Sequence, residues 1–164
     1  MKLRILSVFA AAALLAACET APDSSATTGG EGVSTVNQPS TSTSLSESSP
    51  EWFAVNVGDR VFFGFDKYDL AGEARRTLEL QAAWLKKYPQ YKVVVEGHAD
   101  ERGTREYNLA LGERRANSVK DYLIALGIDP SRVETISYGK ERPVALGHDD
   151  ESWAKNRRAV SVIR

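Results

Sequence analysis

Downstream of Trp52 the apolar residues change period again and again, and that change limits the chain to one class of fold. Val61-Phe62-Phe63-Gly64-Phe65 is β-branched and aromatic, the composition of a strand. Ala71, Ala74, Leu78, Ala82 and Leu85 then recur every three or four residues, which is one face of an amphipathic helix stopped by Pro89. Tyr91 to Glu96 reads as a second strand, and its consecutive valines suit cover on both faces. A turn-rich stretch, Gly97 to Gly103, leads to a second helix from about Arg105 to Leu126. Its core stripe is expected to be Leu109, Gly112, Ala116, Val119, Leu123 and Leu126, ended by Gly127 and Pro130. Val133 to Tyr138 is a third strand, a short helix follows near 150–157, and Ala159 to Ile163 is a fourth strand. The order β-α-β-α-β-α-β predicts an α/β (α+β sandwich) domain over 51–164, with parallel or mixed strand neighbours. Trp84, Tyr88 and Tyr122 are expected to be partly in its core.

Nothing upstream can contribute to that core. Residues 19–50 hold nine Ser and six Thr, and their large aliphatics are only Val33, Val36 and Leu45. Such a segment cannot bury enough apolar surface to offset its chain entropy, so 18–50 is read as a flexible linker. As a coil it spans roughly 30 Å, and fully extended about 105 Å. Before it, Met1-Lys2-Leu3-Arg4 is a cationic start, and Ile5 to Ala17 is apolar apart from Ser7. That run suits a signal peptide over 1–17. It ends in Leu15-Ala16-Ala17-Cys18, which resembles the lipobox of bacterial lipoproteins, and Cys18 is the chain's only cysteine. Acylation there would anchor the chain to a membrane through its lipid. By the same resemblance, Glu19 rather than Asp after the cysteine favours the outer membrane.

Charge excludes some functions. Residues 51–164 carry 19 basic and 18 acidic side chains, and that near-neutrality argues against a nucleic-acid partner. Two histidines and one cysteine are too few and too scattered for a familiar zinc site.

Three polar clusters remain. They are Phe65-Asp66-Lys67-Tyr68-Asp69, the loop His98 to Gly103 with the helix start after it, and Lys155-Asn156-Arg157-Arg158. The first two follow the carboxyl ends of strands, where open α/β sheets often bind ligands. Asn108, Leu111 and Arg115 are spaced by three and four and so share a helix stripe, distinct from the one through Leu109, Gly112 and Ala116. With Asp100 nearby, an acid, an amide, an apolar side chain and a guanidinium can line one groove. Plainer roles suit the same residues. Asp66 or Asp69 can cap the first helix, Asp100 can bond backbone N–H groups, Arg115 can be a solvated or salt-bridged helix residue, Arg157 and Arg158 can be a simple charge pair, and His98 can be packed in its turn.

Gly64-Phe65-Asp66-Lys67-Tyr68-Asp69, Val95-Glu96-Gly97-His98-Ala99-Asp100-Glu101-Arg102-Gly103-Thr104, Tyr107 to Gly112, Ser137-Tyr138-Gly139 and Asn156-Arg157-Arg158 together resemble the OmpA-like peptidoglycan-binding domain. The likeness covers nearly all of 52–164 and is nearest to the lipid-anchored members that act with the Tol system. It implies helices on a mixed four-stranded sheet, no enzymatic activity and no cofactor. The implied partners are peptidoglycan, the periplasmic propeller protein of the Tol system with other Tol components, and the outer membrane through the lipid. It also implies a ligand, the meso-diaminopimelate of the stem peptide. By the same likeness, Asp100 would accept from its ammonium and Arg115 would clamp a carboxylate, with Asn108 and Leu111 shaping the pocket and Asp66 and Arg158 bordering it. An OmpA-like lipoprotein with another envelope role, or a wall-acting enzyme using Asp66, Asp69 or Asp100, stands as the alternative.

Overall fold

A computed structural model describes residues 45–164, so the signal peptide, Cys18 and most of the expected linker lie outside the described residues. The folded part starts earlier than residue 51. The Glu47 carbonyl accepts from the Trp84 indole N–H at 2.9 Å, its carboxylate pairs with Lys87 at 2.6 Å, and Ser49 caps the helical turn α1 (Pro50–Trp52) by accepting from the Trp52 N–H at 3.1 Å. A π-helical turn over Phe53–Gly58 follows and puts Phe53 in the core, 1% exposed. Neither element shows a periodic pattern in the sequence, because together they are too short to have one.

Four strands follow the expected order: β1 (Arg60–Phe62), β2 (Val93–His98), β3 (Val133–Gly139) and β4 (Arg158–Ile163). They form one sheet in the order β1-β4-β2-β3. The β2–β3 pair is parallel, and β4 runs antiparallel to both β1 and β2. The sheet is therefore mixed, with one parallel pair rather than several. Its helices are α2 (Gly72–Lys87), α3 (Arg105–Ala125) and the short α4 (Asp150–Asn156). A 3-10 turn at Pro130–Arg132 leads into β3.

One face of the sheet is packed. Val93 and Val95 have no exposed surface and meet Leu78, Ala82 and Leu85 of α2 and Ala116, Val119 and Leu123 of α3 in a single cluster. The alternation of a strand turns Val94 and Glu96 the other way, where both are only half-buried. The expected cover of β2 on both faces is thus corrected: Phe62 at 50% exposure and Ile136 at 41% mark an open face. Burial of the apolar cluster supplies the main stabilisation, at roughly 1.5–3 kcal/mol per large side chain.

α3 is rotated relative to the expected stripe. Leu109 is 39% exposed, whereas Asn108, Leu111 and Arg115 are buried with Gly112, Ala116, Val119 and Leu123. Glycines set that rotation. A Cβ on Gly97 would collide with the backbone carbonyl of Gly112, and a Cβ on Gly139 would sit 2.8 Å from the Leu109 nitrogen. The Ser137 hydroxyl donates to the Leu109 carbonyl at 2.6 Å, pinning that backbone over β3. The stripe of Asn108 and Arg115 is thereby drawn inward against the end of β2.

Gly97→Ala is expected to lower unfolding stability by about 1–3 kcal/mol through this backbone collision. Gly72→Ala, where an added Cβ meets nothing within 4 Å, is expected to be neutral or slightly stabilising. Urea denaturation of the two variants beside wild type measures both.

Candidate ligand-binding site

The turn after β2 is built around one carboxylate. Asp100 is 4% exposed. Its Oδ1 accepts from the Arg102 backbone N–H at 3.1 Å and from Arg102 Nε at 3.3 Å. Its Oδ2 accepts from Arg102 Nη2 at 2.7 Å and from Arg157 Nη1 at 3.4 Å. Burial alone would raise the Asp100 pKa, but the side-chain and backbone bonds from Arg102, with Arg157 behind them, hold it below the ordinary 3.8. The carboxylate is therefore ionised at neutral pH. Gly103 then takes φ +94°, a left-handed conformation that glycine adopts without strain and that reverses the chain into α3. The Thr104 hydroxyl caps that helix by accepting from the Tyr107 N–H at 3.2 Å, and the Asn108 amide donates to the Arg102 carbonyl at 2.9 Å.

Arg115 lies beneath this turn with no exposed surface. Its Nε donates to the Lys67 carbonyl at 2.8 Å, Nη1 to the His98 carbonyl at 2.7 Å and Nη2 to the Gly64 carbonyl at 3.1 Å. A guanidinium has five N–H donors, so two remain after these three bonds. Burial lowers its pKa to about 10, with Asp100 pulling back upward, so it stays charged at neutral pH.

Between these groups is a cavity of about 180 Å³. Phe65 and Asp66 line it from the loop after β1, Asp100, Arg102 and Gly103 from the loop after β2, and Tyr107, Asn108, Leu111 and Arg115 from α3. The Tyr107 hydroxyl donates to the Asp66 carboxylate across the mouth. Two acids and two guanidiniums thus share one concavity with an apolar wall. Such a site suits a small ligand group that carries both charges, and its volume admits the end of a side chain rather than a whole drug-sized molecule.

Five of the six residues expected at a ligand site are therefore together: Asp66, Asp100, Asn108, Leu111 and Arg115. Arg158 is not. It starts β4 on the open face, paired in register with Phe62, and its guanidinium donates to the Asn156 and Arg142 carbonyls. Its neighbour Arg157 is the one that reaches Asp100, and it also donates to the Phe63 carbonyl at 3.1 Å. The error is one residue, which in an extended chain turns the side chain to the opposite face. Neither Asp66 nor Asp69 caps α2, whose N-cap is Ala71 with no side-chain bond. Phe65, Tyr107 and Arg102 line the cavity in addition to the expected residues. For Arg102 a local signal existed, since an acid two residues before an arginine can fold back on it as an Asx turn.

Behind the site, His98 is packed in its turn, 2% exposed, beside the Tyr138 ring at 5.6 Å. Neither ring nitrogen has a hydrogen-bond partner. Burial first, then the charges of Arg158 and Arg142, lower its pKa from 6.5 to about 4, so the ring is neutral at neutral pH. Among the described residues no group of three His, Cys, Asp or Glu side chains could hold a metal, and no helix is long and apolar enough to cross a membrane.

A model of the OmpA family matches residues 62–157, a span that contains the whole cavity. The chain is 56% identical to the peptidoglycan-associated lipoprotein of Rhizobium meliloti over 115 residues, covering 70% of this chain and 65% of that protein. It is 55% identical to the peptidoglycan-associated lipoprotein of Agrobacterium fabrum over 120 residues, covering 73% of this chain and 68% of that protein. It thus spans about two thirds of the length of these curated relatives. The crystal structure of the peptidoglycan-associated lipoprotein from Burkholderia pseudomallei superposes with a TM-score of 0.67 at 43% identity, over 71% of this chain and 100% of that one.

Two outcomes follow from the geometry. Arg115→Leu is expected to lose at least about 3 kcal/mol of stability, because three buried carbonyls lose their donor together. Thermal or urea unfolding checks it. The depressed His98 pKa means that the unfolded chain takes up the proton first. Its contribution is complete above pH 6.5 and is lost as pH falls from 6.5 toward about 4, by about 2–3 kcal/mol. Asp100 acts in a lower window, below its ordinary 3.8. Urea midpoints between pH 7 and 4 should show the slope in wild type and not in His98→Gln.

Proposed function

The chain belongs to the OmpA family, and on that premise we propose that it is an outer-membrane lipoprotein that binds peptidoglycan without a covalent bond and ties the membrane to the wall. The observation that carries this reading is the pairing of a buried acid, Asp100, with a buried guanidinium, Arg115, on the walls of one small cavity. In this reading the ligand is the meso-diaminopimelate of the stem peptide, whose side chain ends in an ammonium and a carboxylate. Asp100 accepts from the ammonium, and the two N–H groups of Arg115 not engaged by backbone carbonyls donate to the carboxylate. Asn108 holds the turn in place through the Arg102 carbonyl, Leu111 supplies the apolar wall, and Asp66 borders the mouth with Tyr107.

Two charge-assisted contacts supply about 3–6 kcal/mol before the costs of association, so each stem peptide is held weakly and reversibly. Many copies anchored through Cys18 and facing one polymer hold the wall by avidity, given the reach of the linker. The same electrostatics supports binding over catalysis. Asp100 is ionised and fully engaged by arginines, which makes it an acceptor rather than a proton donor. Within the envelope the protein would act with the Tol system, its periplasmic propeller protein and other Tol components as partners, in keeping the envelope intact and drawing in the outer membrane at division.

Soluble protein carrying residues 45–164 should pellet with purified diaminopimelate-type sacculi, and Asp100→Asn should stay in solution while keeping its fold. Equal pelleting of the two proteins would mean that the wall is held at another surface.

A further inference from the structure

The acceptor that the proposed ligand needs is already occupied. Both oxygens of Asp100 are taken by Arg102, at 2.7 Å from Nη2, at 3.3 Å from Nε and at 3.1 Å from the backbone N–H. The Arg102 side chain keeps 33% of its surface exposed, whereas that of Asp100 keeps 4%. Arg102 therefore covers the carboxylate from the solvent side and lines the cavity itself. It is also held in place from both sides. Its guanidinium lies 4.1 Å from the Phe65 ring centroid and 4.1 Å from the Trp153 ring centroid. The indole of Trp153 is fixed in turn by donating to Glu101 at 2.8 Å, and Glu101 also pairs with His148 at 2.7 Å. Arg157 reaches the same carboxylate from behind at 3.4 Å, so Asp100 does not become a bare buried charge when Arg102 leaves.

We infer that Arg102 is the resident cation of the ammonium subsite: ligand enters by exchanging its own ammonium for the Arg102 guanidinium on Asp100. This rests on the reading of Asp100 as the ligand's acceptor. It also has a consequence for selectivity. A ligand that brings an ammonium alone replaces one cation by another, gives up the contacts of Arg102 with two aromatic faces, and gains little. A ligand whose carboxylate reaches Arg115 at the same time makes a contact that Arg102 cannot make. The exchange costs both ligands alike, so the contact with Arg115 is what separates a side chain ending in both charges from one ending in an amine, such as lysine. Arg102 instead sets how tightly either ligand is held, without adding a contact to the bound state.

The test is calorimetric titration of the full chain in detergent with two synthetic tripeptides, L-Ala-γ-D-Glu-meso-diaminopimelate and its L-lysine counterpart. Arg102→Met keeps an apolar side chain between Phe65 and Trp153 but removes the charge. It should bind both peptides roughly three- to tenfold more tightly than wild type, with the ratio between them unchanged. Arg102→Lys, which keeps the charge without the fork, should fall between them. In the wild type the Arg102 Nε–H resonance should shift on adding the diaminopimelate peptide. If Asp100→Asn abolishes binding but Arg102→Met binds no more tightly than wild type, the exchange is wrong and the function stands. If Asp100→Asn binds as wild type does, the acceptor assignment fails and the exchange fails with it.

Discussion

A guanidinium without exposed surface holds the ligand site together. Arg115 donates to carbonyls of Gly64 and Lys67, after β1, and of His98, at the end of β2, so one side chain from α3 ties two loops to the helix. Burying a charge is costly unless it is fully bonded, and the cost is met here by backbone dipoles rather than by a single counter-ion. The arrangement is possible only because α3 lies close enough to the sheet, and the contact of Gly97 with Gly112 sets that distance. Packing at two glycines thus fixes where the charged group of Arg115 can sit.

The site that results is balanced. Asp66 and Asp100 face Arg102 and Arg115 around about 180 Å³, with Arg102 paired to Asp100 and Arg115 held by backbone carbonyls. The proposed ligand group carries both signs and would meet a partner for each. The open face of the sheet, with Phe62 and Ile136 exposed, lies on the other side from α2 and α3 and takes no part in this chemistry.

Much of this was legible in the sequence. The alternation of strand and helix periods located all four strands and the three helices after β1, because each segment is long enough to show its spacing or is bounded by Gly or Pro. Helical spacing put Asn108, Leu111 and Arg115 on one stripe beside the loop of Asp100, and the motif resemblance gave them roles. Other features were not legible, each for a physical reason. Leu109 reads as core by its hydrophobicity, but glycine contacts on either side rotate α3 and turn it outward. Arg157 and Arg158 are indistinguishable by composition, and only the strand register decides which one reaches Asp100. Glu47 is held by Trp84 and Lys87, 37 and 40 residues away, contacts that no local pattern encodes.

In the proposed function the cavity between Asp100 and Arg115 receives a side chain ending in an ammonium and a carboxylate. A crystal structure of the protein with a diaminopimelate-containing muropeptide tests it most directly. The ammonium is expected within hydrogen-bond reach of the Asp100 carboxylate and the carboxylate within reach of Arg115, with the apolar stem against Leu111. A muropeptide seated elsewhere, for instance across Phe62 and Ile136 on the open face, would contradict it.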